Sequence, residues 1–284
     1  VKCVVCDNKK LSPVINLDWP LYRCLNCGLV QVSPLPSQQA VNKLYSGDYW
    51  KNYAPYESQI RAHRRYFQEK IKQIKQYRKQ GKILDIGCAL GIFMETAKKN
   101  HYQVEGIDIS DYPVKYCRKN GLAAEQKTIH TINKKNDFDI VTAFEIIEHE
   151  LDPVEALNDI NHVLKPHGLL VVSVPNSQMV ISRIMGKYWF GYRDKEHLFH
   201  FTKESLLLLL KKAGFTQIKI MNDSPRPYLF TYYLERFNYY LLRSKIFSRF
   251  VIWLTKLPII NEITINLNPW GNLIAFATKP NDQY

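Results

Sequence analysis

The stretch Lys82-Ile83-Leu84-Asp85-Ile86-Gly87-Cys88-Ala89-Leu90-Gly91 decides the fold of this 284-residue chain. A short apolar run ends in a carboxylate, turns through small residues and opens into Ile92-Phe93-Met94, the start of a helix. A strand that turns so sharply into a helix needs backbone angles and close approaches that a Cβ forbids, and Gly87 and Gly91 allow them. About twenty residues on, as in a βαβ unit, Gln103-Val104-Glu105-Gly106-Ile107-Asp108-Ile109 reads as a second strand and again carries an acid at its end. Adjacent parallel strands bring Asp108 beside the first turn, where a carboxylate can accept hydrogen bonds from two ribose hydroxyls. The pair predicts a nucleoside site.

The glycine spacing narrows the ligand. A pyrophosphate resting on a helix amino terminus asks for G-x-G-x-x-G, whereas this chain has Gly87-x-x-x-Gly91 with Ala89 between. Asp85 would repel a pyrophosphate but suits an amino group or a sulfonium. In these residues the chain resembles the class I S-adenosylmethionine (SAM)-dependent methyltransferases, whose first motif reads D-x-G-C-G-x-G. The resemblance continues through Phe138-Asp139-Ile140-Val141-Thr142-Ala143-Phe144-Glu145-Ile146-Ile147-Glu148-His149 and through Leu164-Lys165-Pro166-His167-Gly168-Leu169-Leu170-Val171-Val172-Ser173-Val174-Pro175-Asn176, in the order of the family's fourth and fifth strands. It spans residues 82–222. It implies an α/β fold, a Rossmann-like seven-stranded doubly wound sheet with an antiparallel last strand, and SAM as cofactor. The cofactor-binding candidates it implies are Asp85, Gly87, Cys88, Gly91, Asp108, Ile109, Phe144 and Glu145, with Tyr49 or Tyr53 from a segment that closes over the methionine moiety. Packing is the competing role for those tyrosines, and Cys88 is also read as a small packing residue of the turn.

Six cysteines divide into two sets. Cys3, Cys6, Cys24 and Cys27 form C-x2-C-x17-C-x2-C, two tight knuckles that can close a tetrahedral Zn²⁺ site in a segment too short to build a core otherwise. Four protein ligands leave no open position, so the zinc expected here is structural. Disulfides are the alternative, disfavoured in a reducing compartment. Cys88 and Cys117 fall inside the nucleoside-binding region.

The formal net charge is +13. Basic residues crowd the interval 61–82, where Arg61, Arg64, Arg65, Lys70, Lys72, Lys75, Arg78, Lys79 and Lys82 face Glu69 alone. An anionic partner (a nucleotide-linked sugar, a phospholipid surface or RNA) suits that balance, as does a solvated helix face. No run of eighteen apolar residues and no signal-peptide pattern is present, so a soluble, cytoplasmic protein is expected.

Three regions follow: a zinc ribbon over 1–36, a helical lid and linker over 37–81, and the SAM-dependent domain over 82–284. Strands are predicted near 82–87, 103–108, 122–126, 138–144, 168–175, 216–221 and 272–279. Helices are predicted near 38–44, 57–80, 91–100, 112–119, 153–163 and 202–212. Residues 225–266, rich in aromatic and basic side chains, form a helical insertion before the last strand. There Phe230, Leu234, Phe237 and Leu241, then Ile246, Phe250, Trp253 and Leu257, recur at helical spacing. Packing on the enzyme, as a lid or dimer face, is the expected fate of these stripes, and peripheral contact with an anionic membrane is the alternative.

Candidate catalytic residues must sit at the carboxyl ends of the strands. Glu145, Glu148 and His149 stand at i, i+3 and i+4, so one helical turn would set all three on one face. The pattern resembles that of ubiquinone-biosynthesis O-methyltransferases, and in part that of small-RNA 2′-O-methyltransferases, where such residues hold a divalent metal. A second metal at Glu145, Glu148 and His149 is therefore an expectation, beside a plain base or a loop cap for His149. His197 and His200, in the loop leaving the fifth strand, are the other catalytic candidates, with anchoring of the loop as their alternative. His63, His101, His130, His162 and His167 read as surface or turn residues.

The ribbon-plus-methyltransferase layout resembles bacterial enzymes of polysaccharide and sugar biosynthesis. Methyl transfer to a small-molecule hydroxyl, on a sugar or sugar-linked lipid, is the leading expectation. Methylation of rRNA or tRNA, with ribbon and basic helix holding the RNA, is the alternative; no Asn-Pro-Pro-Tyr motif supports it. A silent SAM-fold binding module is the third.

Overall fold

The computed structural model describes residues 2–44, 60–186, 189–193, 196–224, 228–238, 242, 244–255, 257, 260, 263–265 and 271–281. Tyr49 and Tyr53 lie outside the described residues. The chain opens with β1 (Leu11–Ile15), β2 (Leu21–Cys24), β3 (Val30–Val32) and α1 (Gln38–Leu44). Helix α2 (Ile60–Lys75) leads into alternating elements: β4 (Lys82–Ile86), α3 (Ile92–Lys99), β5 (Gln103–Asp108), α4 (Asp111–Lys119), β6 (Ala123–Gln126), β7 (Phe138–Phe144), α5 (Pro153–Val163) and β8 (Leu164–Pro175). Then come α6 (Val180–Met185), β9 (Phe199–His200), α7 (Lys203–Lys212) and β10 (Thr216–Asn222). The insertion holds β11 (Tyr228–Leu229), α8 (Phe230–Phe237), α9 (Lys245–Leu254) and β12 (Thr264–Ile265), and β13 (Asn272–Thr278) closes the sheet.

Seven strands form the central sheet in the order β10-β13-β8-β7-β4-β5-β6. The five strands β8, β7, β4, β5 and β6 run parallel, and β13 is antiparallel to both its neighbours. Alternation along each strand assigns side chains to two faces. Ile83, Ile140, Val171 and Ile274 pack with α2 and α3 through Tyr66, Phe67, Ile71 and Phe93. Their neighbours Leu84, Val141, Val172 and Ala275 pack on the other face with Leu157, Ile160, Leu206 and Leu209 of α5 and α7. A sheet buried on both sides has near-continuous apolar runs, which is why residues 140–144 of β7 and 169–174 of β8 read so plainly. Each fully buried Ile, Leu or Val contributes about 1.5–3 kcal/mol relative to exposure.

Local signals set the helix ends. Asp152 accepts from the amides of Val154 and Glu155, both at 3.0 Å, and Pro153 takes the first helical position. Thr202 and Ser205 cap α7 reciprocally, and Gly214 at φ 80 ends it.

The amino-terminal strands are not a separate body. They form a four-stranded sheet, β1-β2-β3-β9, whose last strand comes from the loop after β8. Leu29 and Val30 of the ribbon share one buried cluster with Leu198, Phe199 and Leu206.

Three expectations change. Helix α2 ends at Lys75, short of residue 80. His63 is buried on α2, not a surface residue. In the insertion, Val251 and Leu254 turn inward, while Ile246 is 81% exposed, Phe250 47% and Trp253 53%. The stripe predicted to pack faces outward: two short helices can bury only one side of α9, and Phe237 and Phe247, at 6.4 Å between ring centroids, take up that contact.

Candidate active site

The carboxyl ends of β4, β5 and β7 converge at the glycine turn. Gly87 and Gly91 both adopt left-handed angles, φ 69 and 73. A Cβ on Gly87 would meet Cδ1 of Ile146 at 2.0 Å, and one on Gly91 would meet Leu122 and Cys117. The amides of Gly87 and Cys88 both donate to the carbonyl of Ile107, at 2.8 and 2.9 Å, tying the turn to β5.

Asp108 accepts from the Ala89 amide at 3.0 Å through one oxygen and from the Ser110 amide at 2.9 Å through the other. The Ser110 side chain also bonds this carboxylate, and with about four acceptor positions on a carboxylate capacity remains for a diol. Ile109 beside it is 46% exposed, an apolar surface for a flat base. Asp85 is buried and accepts from the Thr142 hydroxyl at 2.7 Å. Burial raises its pKa to about 7, opposed by the Thr142 bond and reinforced by Asp108. The two glycines, the diol-ready carboxylate and the buried acid fit a nucleoside that carries a cationic tail.

A family profile described as a methyltransferase domain matches residues 56–220. This chain belongs to the class I SAM-dependent methyltransferases. Among curated relatives, the ubiquinone biosynthesis O-methyltransferase of Haemophilus ducreyi is 34% identical over 107 residues, covering 34% of this chain and 45% of its own. That of Vibrio campbellii is 30% identical over 131 residues, 43% of this chain and 53% of its own. This methyltransferase thus spans about half the length of the curated relatives it matches. Among solved structures, Burkholderia thailandensis 1,6-didemethyltoxoflavin-N1-methyltransferase aligns with a TM-score of 0.57 at 14% identity, over 91% of this chain and 99% of its own. Haemonchus contortus phosphoethanolamine N-methyltransferase 2 gives 0.56 at 21%, over 88% and 62%. At these identities the likeness speaks for the fold.

In this methyltransferase the second constellation gathers after β7. Ligand atoms of Glu148, His149 and His197 all lie within 4.8 Å of one another. The imidazoles of His149 and His197 meet edge to face at 4.9 Å. Nδ1 of His149 donates to the Glu196 carbonyl at 2.8 Å, which leaves Nε2 as the basic nitrogen of the neutral ring. One carboxylate and two imidazoles could hold a divalent cation or move a proton. The expected metal set changes, because Glu145 is not part of this cluster. Residue 145 takes a left-handed angle, φ 57, so no continuous helical turn runs from 145 to 149, and its carboxylate accepts from the side-chain amide of Asn272 on β13. His197, from a distant loop, takes its place.

The other candidates separate. His200 is fully buried against Trp189, Tyr192 and His197. Desolvation, helped by His197 and His149, holds its pKa well below the ordinary imidazole value, so it stays neutral and sealed from solvent. Phe144 directs its ring at Phe67 and Phe93, 5.5 and 5.1 Å away, within the α2–α3 packing. Cys88 is buried beside Met94 and Cys117; the Cys117 thiol and burial push its pKa up, and it fills the turn.

The four ribbon cysteines also meet. Cys3 and Cys27 sulfurs are 3.6 Å apart, and Cys6 and Cys24 sulfurs 3.5 Å, too far for disulfides. Tetrahedral zinc–thiolate bonds of about 2.3 Å place sulfurs about 3.8 Å apart, so the donor set fits a structural Zn²⁺. The Cys27 thiol draws the Cys3 pKa down, which favours the thiolate that a metal would take.

Sequence reasoning passed over Thr142, Ile146, Glu196 and Asn272. A polar signal marks the first: Thr142 interrupts the apolar run Ile140-Val141-Thr142-Ala143. The others depend on loop conformation, which periodicity does not encode.

Proposed function

We propose that this chain transfers the methyl group of SAM to an oxygen of a small molecule, with His149 as proton acceptor. The observation that carries this reading is the Glu148–His149–His197 cluster at the carboxyl end of β7, beside the glycine turn. In-line displacement at an activated methyl needs alignment above all, and a hydroxyl acceptor needs its proton removed. Asp108 and Ile109 would hold the adenosine, Asp85 the amino-acid tail, and the cluster the acceptor hydroxyl. The relatives named as O-methyltransferases support oxygen over nitrogen. A sugar as acceptor, expected from the ribbon layout, finds no support among these relatives.

RNA is the weaker reading. Of the nine basic residues on and after α2, four are paired with acids of the protein itself: Arg64 with Glu95, Lys70 with Asp223, Lys72 with Glu69 and Lys82 with Asp137. Transfer of labelled methyl from SAM to a panel of catechols, sugar nucleotides and rRNA tests the proposal. Label on the catechols supports it. Label on RNA alone, or on no acceptor despite donor binding, overturns it.

The outward stripe of α9 supports peripheral contact with an anionic lipid surface. Ile246, Phe250 and Trp253 are exposed beside exposed Lys245 and Arg249, and a second copy of so basic a face would be repelled. No helix among the described residues is long and apolar enough to cross a membrane. Flotation with phosphatidylglycerol vesicles should carry the protein, and Trp253→Ser should weaken it; flotation equal with neutral vesicles would discard the contact.

A further inference from the structure

We propose that the metal-closed ribbon is a positioning device for the acceptor side of the active site, holding the loop that carries His197. This rests on the reading of Glu148, His149 and His197 as the acceptor site.

The loop from Glu196 to Thr202 is gripped along both edges. On one edge it meets the catalytic cluster: the Leu198 amide donates to the Glu148 carbonyl at 2.9 Å, and the Glu196 carbonyl receives His149 Nδ1. On the other it is the fourth strand of the ribbon. Val30 pairs with His200 and Gln31 with Phe199, and the Val32 amide donates to the Leu198 carbonyl at 2.9 Å. Leu198 therefore bridges the two sites through its own peptide groups.

The grip begins at a metal ligand. The Thr202 hydroxyl donates to the carbonyl of Cys27 at 2.9 Å. The next residue, Gly28, is left-handed at φ 73, and a Cβ there would lie 3.0 Å from the Thr202 methyl. The second knuckle, Cys24 to Cys27, thus packs directly on the residue that ends the loop and caps α7. Arg23, also in that knuckle's strand, donates to the Tyr192 hydroxyl at 3.2 Å, and Tyr192 packs on His200. Four thiolates closed on a metal would fix the two knuckles that carry this grip, beyond what their burial supplies. The adenosine side of the site shares no strand with the ribbon: Asp85, Gly87 and Asp108 belong to β4, β5 and their turns. Metal loss should therefore loosen the loop and leave donor binding intact.

The test uses the full chain, stripped with a chelator and reloaded with Zn²⁺ or Co²⁺. One metal per chain, and thiolate-to-cobalt charge-transfer absorption, are expected for the loaded form. Stripping should raise amide hydrogen exchange at Val32 and Leu198 about ten-fold or more, leave SAM affinity within about two-fold, and lower turnover; reloading should reverse all of it. Arg23→Leu, on an exposed residue that is not a ligand, should keep the metal and speed exchange near Tyr192. Three results overturn the proposal: no bound metal, unchanged loop exchange after stripping, or equal loss of SAM binding, which would make the metal a support of the whole domain. Changed loop exchange with no methyl transfer to any acceptor would instead sink the catalytic reading alone.

Discussion

The hydroxyl of Thr142 donates to the carboxylate of Asp85 at 2.7 Å, and the two residues stand opposite one another in register on β7 and β4. Asp85 is only 3% exposed and Thr142 is fully buried, so Asp85 holds its proton to about pH 7. A cationic ligand tail favours the carboxylate, so donor binding must release that proton at low pH.

The expected consequence is a donor affinity that weakens as pH falls through about 7 and levels off above it. Thr142→Val removes the one contribution that lowers this pKa, so the midpoint should move up. Asp85→Asn should flatten the curve. For folding of the donor-free protein the sign is opposite: the folded pKa exceeds the unfolded one. The contribution of Asp85 to stability is then complete below the ordinary carboxylate pKa and is lost as pH rises through about 7. Calorimetric titration across that window checks the first, and urea unfolding the second.

His149→Ala should lower turnover about 10²–10⁴-fold, the range for loss of a positioned base, with SAM affinity unchanged. His197→Ala should act in the same direction and less strongly, since His149 keeps its bond to Glu196. Single-turnover methyl transfer with saturating donor separates the two. A rate for His149→Ala equal to that of the unmodified protein would remove the base from the mechanism.

The sheet was legible because it is buried on both faces: residues 140–144 of β7 and 169–174 of β8 are apolar but for Thr142 and Ser173, and Asp85, Gly87, Gly91 and Asp108 mark the ends of β4 and β5. The meeting of the four cysteines was legible because cysteine spacing is a chemical constraint, not a packing one. What the sequence withheld was tertiary. Glu145, Glu148 and His149 look like one helical face, yet a single left-handed residue at 145 sends its carboxylate to Asn272. His197 joins the cluster only because β9 zips onto β3, a pairing of two-residue length that no periodicity announces. Ile246, Phe250 and Trp253 have core spacing but no core to meet.

Two left-handed glycines provide an internal comparison. Gly91→Ala forces a Cβ to 2.5 Å from Leu122 and 2.8 Å from Cys117, whereas Gly121→Ala, at φ 71, meets nothing within 4 Å. The second should lose only the left-handed strain of about 1–2 kcal/mol. The first should lose more, about 2–4 kcal/mol, and weaken SAM binding because the turn shifts against β5. Equal unfolding midpoints for the two variants would show that the turn yields without strain.

Lys70 and Asp223 form a buried ion pair between α2 and the end of β10, with both side chains fully enclosed. Tyr66 donates to the same carboxylate, and Lys70 also donates to Ser224 at 2.8 Å. Breaking such a pair from one side strands a charge and costs about 3–5 kcal/mol. Lys70→Met and Asp223→Leu should each approach that loss, whereas the double variant should recover much of it, since two apolar residues leave no charge behind. The pair therefore contributes to where α2 docks more than to net stability. Because α2 presents Phe67 to Phe144 at the head of the loop that carries Glu148 and His149, the double variant should unfold near the unmodified midpoint yet turn over more slowly. Additive losses in the double variant, measured by urea unfolding, would contradict the coupling.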